Sequence, residues 1–313
     1  MDGNGKCLLM RQADPAGPFK ASDDDPRIMV QRQPHERDPN TTYYRLWPEG
    51  SYRDYDGASQ RVAPGAAFSL DANRQYPYNY APEGEQRGAG DLPGHLPQVR
   101  AAYEAITARP NISMLMNYHT YGAMVIRPPE EELGADFGAY DALTRLGCEL
   151  TGYAPVVLSN AWMHGDSVAW AIEHRGIVSF CNELWNLMEH VLKEHDEEYD
   201  HTADLGSGPV TPDMVGQREE DYVRMYAWLD KHFAGEYVQD WTEFDHPQLG
   251  AVEIGGLDTK KCIQNPPPSL LEAECAKNTA FTLALFGSLP AVTAVLTTEP
   301  LEDGDDRPDA PVR

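Results

Sequence analysis

Apolar residues recur at two different spacings along the chain, and the spacing predicts which segments are helices and which are strands. Between residues 97 and 109, apolar side chains return every three or four residues, which is typical of an amphipathic helix, and Pro110 ends it. Residues 112–118 form an almost unbroken apolar run instead, which favours a buried central strand. The same criteria predict further strands at 123–126, 156–158, 177–180 and 291–297, and further helices at 135–150, 184–193, 222–233 and 270–285.

The chain before residue 95 has a different pattern. It is rich in Pro, Gly, Asp and Arg and poor in periodic apolar positions, which predicts loops and short strands. The acidic stretch at 194–220 is expected to be an excursion at the surface. Because strands alternate with helices from residue 97 onwards, the sequence predicts an α/β fold.

Composition and charge narrow the possible functions. Asp and Glu number 50 against 25 Lys and Arg, so the net charge is −25, and such a surface would repel a nucleic-acid backbone. Apolar runs are too short to cross a bilayer, so no membrane span is expected. The five cysteines are scattered without a CxxC pair, which argues against a disulfide framework and against a cysteine-rich zinc site.

Two polar clusters are candidates for binding. Asn73 and Arg74 stand side by side on an irregular segment, where an amide and a guanidinium can hold one carboxylate. An asparagine in a turn beside a surface arginine is the simpler explanation of that pair. His119 follows the predicted central strand at its carboxyl end, where sites of α/β folds gather, although a lone histidine is more often a hydrogen-bonded core residue.

Two further residues are candidates for catalysis. Glu183 lies where a predicted strand meets a helix, flanked by apolar residues, and partial desolvation there would raise its pKa towards that of a general base. A glutamate that favours the first turn of a helix is the structural alternative. Arg11 could polarise a carbonyl, but a strand arginine at the surface is the better explanation from the residues alone.

Taken in order, these clusters resemble the zinc carboxypeptidases of the carboxypeptidase A type, especially a bacterial branch of them. Nearly the whole chain takes part, and the order of the motifs makes the resemblance specific. The matching stretches include Met10-Arg11, Asp25-Pro26-Arg27, Asp71-Ala72-Asn73-Arg74, Tyr118-His119-Thr120-Tyr121, residues 176–185, His246-Pro247-Gln248-Leu249-Gly250 and residues 252–256.

The resemblance implies a role for each candidate. His119 would be a zinc ligand, and Asn73 with Arg74 would hold the terminal carboxylate of a peptide or protein. Glu183 would act as general base and then as acid, and Arg11 would polarise the scissile carbonyl. Zinc would acidify the attacking water. The family's ligand set is two histidines and one glutamate.

The chain also departs from the family pattern. The family's His-x-x-Glu motif precedes the Asp-Gly-Asn-Gly segment with which this chain begins, so an incomplete N-terminus is expected. His195 with Glu198 has that spacing but lies in an acidic run, which favours a solvated surface. The family's mobile tyrosine has no counterpart, so that Trp162 or His164 would have to replace it.

The predicted architecture is therefore a mixed central sheet flanked by helices, zinc-carboxypeptidase-like, over residues 1–287. Residues 288–313 are expected to be the first strand of a C-terminal β module and an acidic tail. The function implied at the family level is hydrolysis of C-terminal peptide bonds by a zinc-activated water, although this chain lacks two of the three zinc ligands that the resemblance leads one to expect. The alternatives are a non-catalytic binder of peptide carboxylates and a zinc deacylase of N-acyl amino acids. Relatives of this family are often secreted, but no signal peptide opens the chain, and its location stays open.

Overall fold

Strands and helices are mixed along the chain, and the strands form two sheets. The computed structural model describes residues 3–52, 55, 70–159, 164–199 and 219–289. The strands in this part are β1 (Leu9–Ala13), β2 (Phe19–Ala21), β3 (Met29–Gln31), β4 (Tyr43–Pro48), β5 (Met114–Thr120), β6 (Met124–Arg127), β7 (Ala154–Val157), β8 (Val178–Leu184), β9 (Val238–His246) and β10 (Gly250–Leu257). The helices are α1 (Pro97–Thr107), α2 (Glu130–Leu133), α3 (Phe137–Thr151), α4 (Ser167–Arg175), α5 (Leu187–Lys193), α6 (Glu219–Phe233), α7 (Thr259–Cys262) and α8 (Pro268–Gly287).

A mixed four-stranded sheet in the order β5-β8-β6-β7 carries the candidate site. β5 and β8 are parallel, β6 runs antiparallel to β8, and β7 is parallel to β6. Phe180 of β8 packs with Tyr140 of α3 and Phe281 of α8, so these two helices cover one face. Trp170 of α4 packs with Leu115 of β5 near the opposite face. Since side chains alternate along a strand, neighbours of Phe180 on β8 point towards the α4 side.

A second, antiparallel sheet has the strand order β3-β2-β4-β1-β10-β9. It joins the short strands of the N-terminal part to the β9–β10 hairpin near the other end of the described chain. The α/β class is thus confirmed, but the expectation of one central sheet is corrected. Two sheets form because β1 pairs with β4 and β10, so the N-terminal strands belong to a separate sheet.

Most of the predicted elements are present, with ends shifted by a few residues. Sequence patterns missed α4, which has a weak apolar stripe, and the β9–β10 hairpin, in which charged residues interrupt the alternation. The predicted strand at 291–297 lies outside the described residues, and the boundary at residue 287 stays a prediction. None of the described helices combines the length and the apolar character that crossing a membrane requires.

Candidate active site

An open cleft of about 760 Å³ lies at the carboxyl ends of β5 and β8. Four of the five predicted site residues line it, namely Asn73, Arg74, His119 and Glu183. Segments far apart in sequence therefore meet at one place. The remaining lining residues are Asp71, Ala72, Tyr118, Thr120, Met124, Ile126, Arg127, Pro128, Leu158, Asp166, Val168 and Cys181.

Strand register brings His119 and Glu183 together. The two residues are direct partners on the parallel strands β5 and β8, and His119 Nδ1 lies 3.7 Å from Glu183 Oε1. Cys181 precedes Glu183 by two residues on β8, so its side chain points to the same face of the sheet. One imidazole, one thiol and one carboxyl group therefore share a floor of the cleft.

The opposite wall of the cleft is a 3-10 turn at Ala72–Arg74, which is fastened to the start of α4. Asn73 Oδ1 accepts a hydrogen bond of 2.9 Å from the Ser167 N–H, and Asn73 Nδ2 donates to Asp166. Asp166 is itself the N-cap of α4, where its side chain accepts from the Ala169 N–H. Both the oxygen and the nitrogen of the Asn73 side-chain amide are thus hydrogen-bonded, which fixes the backbone from which Arg74 projects.

Arg74 is the more available cation of the cleft. Its side chain is 26% exposed, and its Nε lies 3.9 Å from Asp71 Oδ2, which is a long ion pair. Arg74 Nη1 donates to the Asn73 carbonyl at 2.9 Å, and within the described residues its other N–H groups have no hydrogen-bond partner. Arg127 also lines the cleft, but it is paired with Asp141 and lies over the Phe137 ring. Free guanidinium N–H groups suit a bound carboxylate.

The pKa of the Glu183 carboxyl group is shifted towards neutral pH, as proton transfer requires. Burial raises the pKa of Glu183 to about 7, and the nearby Arg74 opposes this rise while Asp71 and Asp166 add to it. Glu183 Oε2 is buried and has no hydrogen-bond partner within the described part of the chain. Burial also lowers the pKa of His119, which favours the neutral imidazole. The site thus pairs a neutral histidine with a carboxyl group that exchanges protons near neutral pH.

On the other face of the sheet, a buried polar network holds the end of β8. Tyr153 OH hydrogen-bonds to Glu274 and accepts from the Trp185 N–H at 3.0 Å and from Asn278 Nδ2 at 2.9 Å. Asn182, next to Glu183 on the strand, donates to Asn278 Oδ1 at 3.0 Å. Sequence reasoning missed these residues, because a tyrosine and a glutamate far apart in the chain give no local signal of contact.

Arg11 is the predicted site residue that the structure does not bring into the cleft. It lies on β1 in the antiparallel sheet, where Nε and Nη2 donate to Glu253 at 2.8 and 3.2 Å. The rings of Tyr44 and Trp241 flank its guanidinium at 4.5 and 4.4 Å. Its charge and its hydrogen-bonding groups are used within that sheet, which indicates a structural role.

The other residues considered as replacements lie away from the cleft lining. His195 and Glu198 are both exposed beyond the end of α5. The ring of His164 hydrogen-bonds to the Asn79 carbonyl at 2.9 Å. Trp162 lies outside the described residues. Neither a second zinc ligand nor a substitute for the mobile tyrosine comes from these residues where they are described.

The donors that could hold a metal ion are therefore those on the strand floor. His119, Cys181 and Glu183 each present one ligand atom, and the three atoms lie within 4.8 Å of one another. Cys181 was not among the predicted ligands, because the scattered cysteines, without a CxxC pair, argue against a cysteine-rich zinc site. Its position two residues before Glu183 was the available signal.

Comparison with protein-family models and with curated proteins returned no match to this chain.

Proposed function

We propose that the cleft binds the C-terminal carboxylate of a peptide and hydrolyses the last peptide bond, as the zinc carboxypeptidases do. The observation that carries this proposal is the convergence of Asn73, Arg74, His119 and Glu183 in one cleft, although the sequence separates them by up to 110 residues. Each has a distinct part in one reaction. Convergence of this kind is not required by any local pattern in the chain.

Binding of the carboxylate is assigned to Arg74. Its guanidinium N–H groups that have no hydrogen-bond partner among the described residues can donate two parallel hydrogen bonds to a terminal carboxylate. Asn73 supports this binding mainly by position, since its amide already bonds to Asp166 and Ser167. Asp71 offsets the positive charge of Arg74 only weakly, because the two groups are 3.9 Å apart. A bound carboxylate would offset that charge further.

Proton transfer is assigned to Glu183. In the proposed step, the oxygen of a water attacks the carbonyl carbon of the last peptide bond while a Glu183 oxygen accepts a proton from that water. Glu183 then donates the proton to the nitrogen of the leaving amino acid as the C–N bond breaks. A pKa near 7 serves both directions, because the group gains and loses a proton at similar cost.

The zinc ion that the family uses needs more protein ligands than His119 alone. Zinc supplies an acidified water in such enzymes, and His119 is positioned to be one ligand. The family's set of two histidines and one glutamate does not fit the described residues, which bring a single histidine into the cleft. No step of the proposed reaction is therefore derived through that set.

A second candidate, binding of peptide carboxylates without hydrolysis, is favoured by one observation. The carboxylate-binding wall is complete in the described residues, whereas the family's ligand set is not. Both candidates place the terminal carboxylate on Arg74, and they differ in whether the last peptide bond is cut.

Calorimetric titration with N-benzoylphenylalanine and with its amide tests the binding step. The acid should bind and the amide should bind far more weakly, because the amide lacks the negative charge. Arg74→Met should lower affinity for the acid about 10-fold or more, since a charge-assisted hydrogen bond contributes about 1.5–3 kcal/mol. Arg145→Met, at an exposed ion pair outside the cleft, is the matched control. Equal binding of acid and amide would contradict the proposal.

Mass spectrometry of a synthetic peptide tests the hydrolytic step. Loss of the last residue should occur with the native chain and stop with Glu183→Gln, which keeps the shape of the side chain but cannot accept the proton. Intact peptide together with Arg74-dependent binding of the acid would select the binder over the hydrolase.

A further inference from the structure

Cys181 has no part in the proposed hydrolysis, yet its sulfur lies among the groups to which that reaction is assigned. Its thiol is on the same face of β8 as Glu183, and both side chains face the ring of His119 on β5. We propose that His119, Cys181 and Glu183 form a three-ligand site for a thiophilic divalent cation of the Zn²⁺ class. This inference does not rest on the proposed function.

The spacing of the donors agrees with tetrahedral coordination. Metal–ligand bonds of about 2.0–2.3 Å place neighbouring ligands of a tetrahedral zinc roughly 3.3–3.7 Å apart. His119 Nδ1 and Glu183 Oε1 are already 3.7 Å apart, and all three donors lie within 4.8 Å of each other. Donor atoms this close together need only small side-chain movements to coordinate one ion.

The kinds of donor select the kind of metal. Imidazole, thiolate and carboxylate together suit borderline-soft ions such as Zn²⁺ or Co²⁺, whereas Mg²⁺ and Ca²⁺ prefer oxygen ligands. On binding, Cys181 would release its proton to solvent and coordinate as the thiolate. The buried Glu183 Oε2, which has no hydrogen-bond partner within the described residues, indicates a site that is not satisfied by the protein alone.

Such a site has a direct consequence for the cleft. Three protein ligands would leave a bound ion one further coordination position for water or a ligand. A Glu183 oxygen bound to the metal no longer accepts a proton from water. A metal ion and a proton would therefore compete for that oxygen of Glu183.

Titration of the full chain with Co²⁺ tests the site directly, because sulfur ligation to Co²⁺ gives a charge-transfer absorption in the near ultraviolet. The native chain should bind one Co²⁺ with this absorption. Cys181→Ser should abolish the absorption and weaken binding about 10-fold or more. Cys148→Ser, at a half-buried cysteine of α3 outside the cleft, is the control and should change neither.

His119→Asn gives an independent variant in case Cys181→Ser fails to fold. It should keep the sulfur absorption at saturating Co²⁺ but bind the ion more weakly. Three results would overturn the site: no saturable Co²⁺ binding by the native chain, sulfur absorption that persists in Cys181→Ser, or loss of absorption in Cys148→Ser. Binding of N-benzoylphenylalanine, measured in a chelator, reports on Arg74 alone and so distinguishes failure of the metal site from failure of the proposed function.

Discussion

His119 and Glu183 are register partners on two parallel strands, and their side chains meet with Nδ1 of the histidine 3.7 Å from Oε1 of the glutamate. The two residues are 64 positions apart in the chain, with β6, α2, α3, β7 and α4 between them. Parallel pairing places the carboxyl ends of both strands at one edge of the sheet, so the pair is a product of topology. Most of the testable behaviour of the cleft follows from this pair and from the turn that faces it.

Glu183→Gln should stabilise the metal-free protein at alkaline pH. The pKa of Glu183 is about 7 in the folded chain against a usual value of 4.5, so the folded state binds the proton more tightly than the unfolded state does. The free energy of unfolding of the native chain therefore falls as the pH rises from about 4.5 through 7. The variant should be more stable by under about 1 kcal/mol at pH 5 and by about 3 kcal/mol at pH 8.

Urea denaturation in a chelator at the two pH values measures this difference. Glu149→Gln, at an exposed glutamate of α3, is the control and should show no such change between pH 5 and pH 8. A stability gain for Glu183→Gln that is the same at both pH values would contradict the assignment of a perturbed carboxyl group.

Asn73→Ala should weaken both the fold and the binding of carboxylates. The substitution removes the bonds to Asp166 and to the Ser167 N–H, leaving a buried carboxylate and a backbone donor short of a partner. We expect a loss of about 2–3 kcal/mol in the free energy of unfolding. Asn40→Ala in an exposed loop should stay within about 0.5 kcal/mol of the native chain. Equal stability of the two variants in urea would show that the turn is held by other contacts.

Gly165→Ala should displace the backbone of Arg74. Gly165 has a φ of +66°, and an added Cβ would lie 2.3 Å from the Arg74 carbonyl oxygen. Gly152 has a similar φ of +72° with nothing within 4 Å of the added atom, so Gly152→Ala carries the backbone strain alone. We expect a cost of about 1–2 kcal/mol for the control and about 3 kcal/mol or more for Gly165→Ala.

Thermal denaturation and titration with N-benzoylphenylalanine should separate these two variants. Gly165→Ala should bind the acid less tightly than the native chain, because Arg74 moves with its carbonyl, while Gly152→Ala should bind it normally. Unchanged binding by a folded Gly165→Ala would mean that Arg74 does not hold the carboxylate.

Arg11→Met should lower stability without changing carboxylate binding. The guanidinium of Arg11 is paired with Glu253 and lies between Tyr44 and Trp241, so its removal should cost about 2 kcal/mol. Calorimetric titration with the acid should give the affinity of the native chain, in contrast to Arg74→Met. A large loss of affinity with intact stability would restore the catalytic role that the family resemblance implies for Arg11.

The sequence by itself determined the α/β class, most of the helices and strands, and four of the residues that line the cleft. Local spacing is enough for the elements, because the 3.6-residue and two-residue periods are properties of consecutive residues. The order of the motifs was enough to group Asn73, Arg74, His119 and Glu183 as one hypothetical site. Their roles stay proposals that the variants above will test.

Only the tertiary structure decided where each strand finds its partner. Pairing of β1 with β4 and β10 separated Arg11 from the cleft and formed a second sheet, because hydrogen bonds between strands join residues far apart in the chain. The register of β5 and β8 likewise placed Cys181 among the cleft residues. The hydrogen bond between the buried side chains of Tyr153 and Glu274, behind β8, is a third contact that only the tertiary structure reveals. Such contacts depend on how whole elements pack, and no local pattern of residues encodes them.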